Sequence, residues 1–244
     1  EHTVWLLCAP SPEDMIATIR SRCRHLGLRI PTAAAVADLL VREGIATPEV
    51  ALEAARAAQS HIGLARALAR DPQMRERRRA IITAPASVRS VGEAVMAADR
   101  LLETAKAQAD AQVAERNARE KAELLRQLGM EEGESATKAS RTMIRQLEED
   151  QKRRSKRALT DAIDRALIDL LAIYRDVLMV QVGGDGELIN TDLSDLVHQI
   201  AQDSTPRQTL ARVDHIETAR KRLVSNGNPL LVLEDMAISL RPQA

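Results

Sequence analysis

The chain has 244 residues and a formal net charge of zero, with 35 basic side chains against 35 acidic ones. That balance argues against a free-standing nucleic-acid binder, which carries a basic domain. Aromatic residues make up 1% of the sequence, with no Phe, one Trp and one Tyr, so the stacking platforms of single-strand binders are missing too.

Cores must therefore be built from Ala, Leu, Val and Ile. Ala and Leu favour helices, and β-rich folds use more aromatic and β-branched residues. Composition predicts a mainly α protein. No signal-peptide pattern and no membrane-length apolar run occurs, which predicts a cytoplasmic protein with no membrane contact. The two cysteines, Cys8 and Cys23, lack zinc spacing and read as reduced thiols.

In chain order, Thr3-Val4-Trp5-Leu6-Leu7-Cys8-Ala9 reads as a strand, Pro10 to Asp14 as a turn and Met15 to Cys23 as a short helix. That helix ends in Thr18-Ile19-Arg20-Ser21-Arg22-Cys23. An arginine there either complements the helix dipole or reaches outward to an anion. A lone strand cannot make a sheet, and no Gly-x-x-x-x-Gly-Lys phosphate loop occurs. Residues 1–30 are therefore expected to be the tail of an α/β domain whose remainder lies upstream.

Thr32 is a helix cap, with Val36, Leu39 and Leu40 on one face and Gly44 as the stop. Thr47-Pro48 starts a second helix, and Leu64, Ala65 and Leu68 lie on a third that ends near Asp71-Pro72. Gln73 to Ile82 reads as a charged connecting helix; its cluster Arg75, Arg77, Arg78 and Arg79 is first a solvated face, and otherwise a contact to phosphate or to an acidic partner. Thr83-Ala84-Pro85-Ala86 reads as a linker.

Ser90-Val91-Gly92-Glu93 is a capping box, followed by a helix with Val95, Met96, Leu101 and Leu102 on its apolar face. Residues 103–157 are strongly charged with both signs mixed, interrupted by Gly129 and Gly133. They are expected to form two long polar helices, as a protruding hairpin, or a partly disordered excursion. The run Lys152-Arg153-Arg154-Ser155-Lys156-Arg157 reads as a solvated face, with DNA or a partner as the alternative. Ile163, Leu167, Leu170, Tyr174 and Val177 then form one helical stripe. Gly183-Gly184-Asp185-Gly186 ends that helix as a plain loop. Asp192 to Gln202 follows, with Leu193, Leu196, Val197 and Ile200 apolar. Thr205-Pro206-Arg207-Gln208 is a second capping box, before a helix carrying Leu210, Val213, Ile216 and Leu223. After Asn226-Gly227-Asn228-Pro229, a final helix carries Leu230, Leu233, Ala237 and Leu240.

The run Leu6-Leu7-Cys8-Ala9-Pro10-Ser11-Pro12-Glu13-Asp14-Met15-Ile16-Ala17-Thr18-Ile19-Arg20-Ser21-Arg22-Cys23 resembles the sensor-1 strand and Ser-Arg-Cys motif of the bacterial clamp-loader family, AAA+ subunits of the DNA polymerase III holoenzyme. The leucine-rich end of the chain is similar to that family as well. The resemblance covers residues 1 to about 100 and about 158 to 244, and it implies several things. Residues 1–30 are the remnant of an AAA+ nucleotide-binding domain, 31–82 its small helical lid, and 86–244 an all-helical collar that joins subunits, with 103–157 inserted. Arg22, framed by Ser21 and Cys23, is an arginine finger that completes the ATP site of an adjacent subunit. Arg66, in His61-Ile62-Gly63-Leu64-Ala65-Arg66, falls near the sensor-2 position; a plain surface arginine is the equal alternative. Ala9 stands where the family often has a polar residue, which implies an inactive nucleotide site in this subunit. Implied partners are the gamma/tau and delta subunits and, through the assembly, the sliding clamp and primed DNA. The only nucleotide implied is ATP-Mg on a neighbour, with no cofactor in this chain.

No constellation for autonomous catalysis is visible. The histidines His2, His25, His61, His198 and His215 make no ligand cluster, and no Gly-x-Ser-x-Gly elbow occurs. The acidic pairs Glu131-Glu132 and Glu148-Glu149 read as solvated surface. Two other classes stay open: a piece of an ATP-hydrolysing gamma/tau-type subunit, or a non-catalytic helical adaptor whose charged hairpin does the work.

Overall fold

Cap chemistry sets most helix starts in the computed structural model, which describes residues 3–9, 11–129 and 138–241. Thr32 Oγ1 accepts from the Ala35 N–H at 3.2 Å and opens α2, Ala33–Arg42. Pro48 begins α3, Pro48–Ala57, at the position where a missing N–H costs nothing. His61 caps α4, Ile62–Arg70, by accepting the Leu64 N–H on Nδ1 at 3.1 Å. Asp71 caps α5, Pro72–Ser87, through the Gln73 N–H at 2.8 Å. A four-residue helix, α1 (Ala17–Arg20), precedes all of these.

The expected linker at 83–86 is helical. α5 runs through it to Ser87 because Pro85 falls in the closing turn, where little of the helix follows it. Ile82, one turn earlier, is buried and anchors the helix. The chain breaks at Val88 to Ser90 instead. There Ser90 Oγ accepts from the Glu93 N–H at 3.1 Å and the Glu93 carboxylate accepts from the Ser90 N–H at 3.2 Å. This capping box opens α6, Val91–Gln127.

α6 pairs with α7, Lys138–Gln181. At 1.5 Å per residue these helices are about 55 and 66 Å long. The buried face of α6 is Ala94, Ala98, Leu102, Ala105, Ala109 and Val113. Small residues at helical spacing let α7 approach closely. On α7 the predicted stripe of Ile163, Leu167, Leu170, Tyr174 and Val177 is buried throughout. Past Val113 on α6 and before Ala158 on α7 the apolar side chains Leu124, Leu128, Ile144 and Leu147 are only half-buried, and polar contacts from Gln151 and Arg154 join the helices. Within 103–157 the described residues lie almost entirely on two long helices, 103–127 on α6 and 138–157 on α7. Glu131, Glu132 and Gly133 lie outside the described residues, as do His2 and Pro242.

The bundle is completed by α8 (Ser194–Gln202), α9 (Pro206–Val224) and α10 (Pro229–Ser239). Thr205 and Gln208 form the second predicted capping box. On α9 Ile216 is buried and Val213 and Leu223 pack against the core as expected, but Leu210 is 49% exposed, and Thr209, Arg212 and Ala219 point inward as well. Thr209 is held there by donating its hydroxyl hydrogen to Gln181 Oε1 at 2.9 Å, while Arg212 lies 5.8 Å from the Tyr174 ring centre. Met96, expected on the apolar face of α6, is 59% exposed.

Two main apolar cores result, with a small third cluster of Ala109, Val113 and Ala158 between α6 and α7. One joins α2, α3 and α4 and is largely alanine, with Val36, Leu40 and Leu68 as its larger members. The other joins α5 to α10 and is built from Leu, Ile, Val and Met around Tyr174. Among the described residues the protein is all helix, with no strand. Residues 3–9 carry no regular structure, and Val4, Trp5 and Leu6 are at least 80% exposed. A strand needs a neighbour to supply its hydrogen bonds, and the described residues contain none.

Candidate functional site

Arg22 sits one residue past the C-cap of α1. The expected helix from Met15 to Cys23 is shorter than its pattern suggested: a 3-10 turn at Pro12–Asp14, then α1. Ser21 caps α1 with its N–H on the Ala17 carbonyl at 3.0 Å. The turn then continues, Arg22 N–H to the Ile19 carbonyl at 3.0 Å and Cys23 N–H to the Arg20 carbonyl at 3.4 Å. Ser21, Arg22 and Cys23 are all exposed. The Arg22 guanidinium donates to the Thr18 carbonyl at 3.2 Å, and Ser21 Oγ donates to the same oxygen at 3.3 Å. That contact aligns the side chain along the helix end and leaves its remaining N–H donors to solvent. Among the described residues no carboxylate pairs with Arg22. The remaining N–H donors of its planar guanidinium are available for a phosphate.

Arg66 is differently placed. On α4 it grips Glu43, the C-cap residue of α2, in a two-point contact: Nε to Oε2 at 2.9 Å and Nη2 to Oε1 at 2.5 Å. The Arg66 hydrogen bonds hold the Glu43 carboxyl below its ordinary range, and Glu43 holds Arg66 above its own. This pair ties α4 to α2. No hydrogen bond or ion pair joins Arg66 to Arg22.

Two of the four arginines of the α5 cluster, Arg75 and Arg78, turn into the fold rather than to solvent. Arg75 donates to the Leu68 carbonyl at 2.6 Å and the Ala69 carbonyl at 3.2 Å, satisfying the C-terminal end of α4. Arg78 donates to Asp169 of α7 at 2.9 Å and to Asn190 at 2.6 Å. Arg79 lies 3.7 Å from Asp192. Arg77 turns outward, donating to Gln73 at 3.1 Å. From α3, Arg56 reaches Glu187 at 3.0 Å.

These contacts stitch the alanine-rich helices to the loop after α7. Asp176, fully buried, organises that loop. It accepts from the backbone N–H groups of Ile189 at 3.0 Å and Asn190 at 2.8 Å, and from the Asn190 side chain at 2.9 Å. Burial pushes the Asp169 carboxyl up, with the Arg78 charge pulling against it. Sequence reasoning missed this seam. The one local signal was the density of arginines on a helix between two apolar clusters.

Along the hairpin, Arg154 clamps Glu120 at 2.8 and 3.1 Å and Asn117 Oδ1 at 2.7 Å. Hydrogen bonds from Arg154, then Arg116, hold the Glu120 carboxyl down at about 2. Arg153 pairs with Asp150, and Lys156 donates to Asn226 at 3.2 Å. Three of the five cations in the predicted basic run are thus engaged within the chain. Cys8 and Cys23 are free thiols, both exposed. Among the described residues no group of three or more His, Cys, Asp and Glu side chains is placed to hold a metal, and no helix is long and apolar enough to cross a membrane.

Residues 135–241 match the family described as the C-terminal domain of the DNA polymerase III delta subunit. Over 72 residues the chain is 38% identical to DNA polymerase III subunit delta' of Bacillus subtilis (strain 168), a stretch covering 30% of this chain and 22% of that relative. No solved structure matches.

Proposed function

We propose that this chain, similar over part of its length to the delta and delta-prime subunits of DNA polymerase III, works in DNA replication as a clamp-loader subunit that lends Arg22 to the ATP site of a neighbouring motor subunit. The observation that carries this reading is the state of Arg22. It is exposed at the end of a short helix, steadied by one carbonyl of its own turn and unpaired with any carboxylate among the described residues. A guanidinium in that condition can enter a partner's site without first breaking an ion pair.

In this reading α1 and its flanks are the edge of an AAA+ nucleotide-binding domain, α2 to α4 the lid, and α5 to α10 the collar through which subunits assemble. The ATP and its Mg²⁺ belong to a gamma/tau-type neighbour. Arg22 would bear on the γ-phosphate oxygens, where charge accumulates as the terminal phosphoryl group transfers to water. A finger supplied in trans contributes on the order of a thousandfold to turnover at the one site it enters. Partners of the assembled machine are the delta subunit, the sliding clamp and primed DNA. Nucleotide contact by Arg66 has less support, because it would require giving up the two-point grip on Glu43.

The test is reconstitution of the subunit with the proposed motor subunits. Arg22→Ala is expected to lower DNA-stimulated ATPase activity while leaving subunit assembly intact on gel filtration. The adaptor reading predicts the reverse: shortening the 103–157 hairpin abolishes activity and Arg22→Ala is silent.

A further inference from the structure

Between α5, α6, α7 and α10 the bundle surrounds a cavity of about 240 Å³ that opens to solvent. Its walls are Ile81, Ala84, Leu101, Leu170, Met236 and Leu240. Leu170, Met236 and Leu240 belong to the main core. They form its floor and are at most 4% exposed, while Ile81, Ala84 and Leu101 on the walls are half-buried. Water is a poor occupant, since a buried water needs two to four polar partners. Thr104, on the lining, has already given its hydroxyl hydrogen to the Arg100 carbonyl at 2.8 Å.

The other polar residues on the lining are Arg77 and Arg100, whose stems border the mouth of the cavity. Both residues are exposed. Arg77 donates only to the neutral Gln73 amide, and neither arginine has a carboxylate partner among the described residues. An apolar hollow flanked by two uncompensated cations complements a molecule with an aliphatic body and an anionic head. Charge-assisted bonds from arginine to a carboxylate are strong and geometrically well matched. A dry apolar cavity of about 150 Å³ accommodates benzene, so this one accommodates an acyl chain of medium length.

We propose that this cavity is a binding site for an amphipathic carboxylate, its chain among Ile81, Leu101, Leu170 and Met236 and its head between Arg77 and Arg100. The site is separate from Arg22 and stands whether or not Arg22 acts as a finger.

The test uses the full chain and decanoate, kept below its micelle concentration, followed by calorimetry and by the Met236 methyl resonance. Saturable one-to-one binding is expected, with a shift of the Met236 methyl. In Arg77→Gln/Arg100→Gln, two surface changes that leave the core intact, decanoate affinity is expected to fall by about tenfold or more, while that for decanol stays unchanged. Ala84→Leu, which fills the cavity, is expected to abolish both. Failure of decanoate to move the Met236 methyl would overturn the proposal, as would a decanoate affinity indifferent to the loss of both arginines.

Discussion

Arg78 of α5 and Asp169 of α7 meet at 2.9 Å, with their side chains only 11% and 8% exposed. They are 91 positions apart in sequence, and they fix α5 against α7. A buried ion pair is costly to half-remove, because the survivor is left charged in a poorly polarisable setting. Arg78→Ala is therefore expected to destabilise the protein by about 3–5 kcal/mol. The double change Arg78→Met/Asp169→Leu should recover much of the loss, since an apolar pair leaves no stranded charge. Urea unfolding of the three proteins checks this.

The hairpin carries a pH-sensitive clamp. The Glu120 carboxyl is held at about 2 by Arg154 and then Arg116, against an ordinary 4.5. Because the folded value lies below the unfolded one, the ionised form favours the folded hairpin. The contribution is fully present above about pH 4.5 and is lost as pH falls toward 2. Carboxyl NMR should show Glu120 titrating near 2, and Arg154→Ala should move it toward 4.5. Amide exchange in residues 113–124 should quicken in that variant at neutral pH.

Gly227 is pinned by close approach. A Cβ built there would lie 2.8 Å from the Arg222 carbonyl oxygen and 3.1 Å from a Val232 methyl. The same carbonyl accepts the Gly227 N–H at 2.8 Å and closes α9. Gly227→Ala should force the α9–α10 turn apart and cost about 1–3 kcal/mol. Gly27→Ala, with nothing within 4 Å of its added Cβ, should change stability by less than about 0.5 kcal/mol. Thermal unfolding of the two variants distinguishes these outcomes.

What was legible in the sequence was local. Thr32, Ser90 and Thr205 announce their helices because capping is decided within four residues. Ile163 to Val177 announces its buried face because the stripe repeats at helical spacing. What was not legible depended on distant partners. The arginines of α5 look solvated until Asp169, Asn190 and Asp192 are brought opposite them. Thr209 and Arg212 displace Leu210 from the core because Gln181 and Tyr174 receive them. Pro85 looked like a boundary because its consequences depend on how much helix follows it. For the candidate site, the sequence marked Arg22 and its motif. The structure adds its exposure and the Thr18 carbonyl that steadies it. Arg66 was also marked, but its engagement with Glu43 across 23 positions lay beyond any local pattern.

The central claim concerns Arg22, and single-site ATP turnover in the reconstituted clamp loader tests it most directly. With Arg22→Ala in a complex of normal composition, turnover at the adjoining site should fall by about a thousandfold, and Arg22→Lys should restore little, because an ammonium lacks the two-point geometry. Unchanged turnover at that site, in a complex shown to contain the variant subunit, would contradict the account.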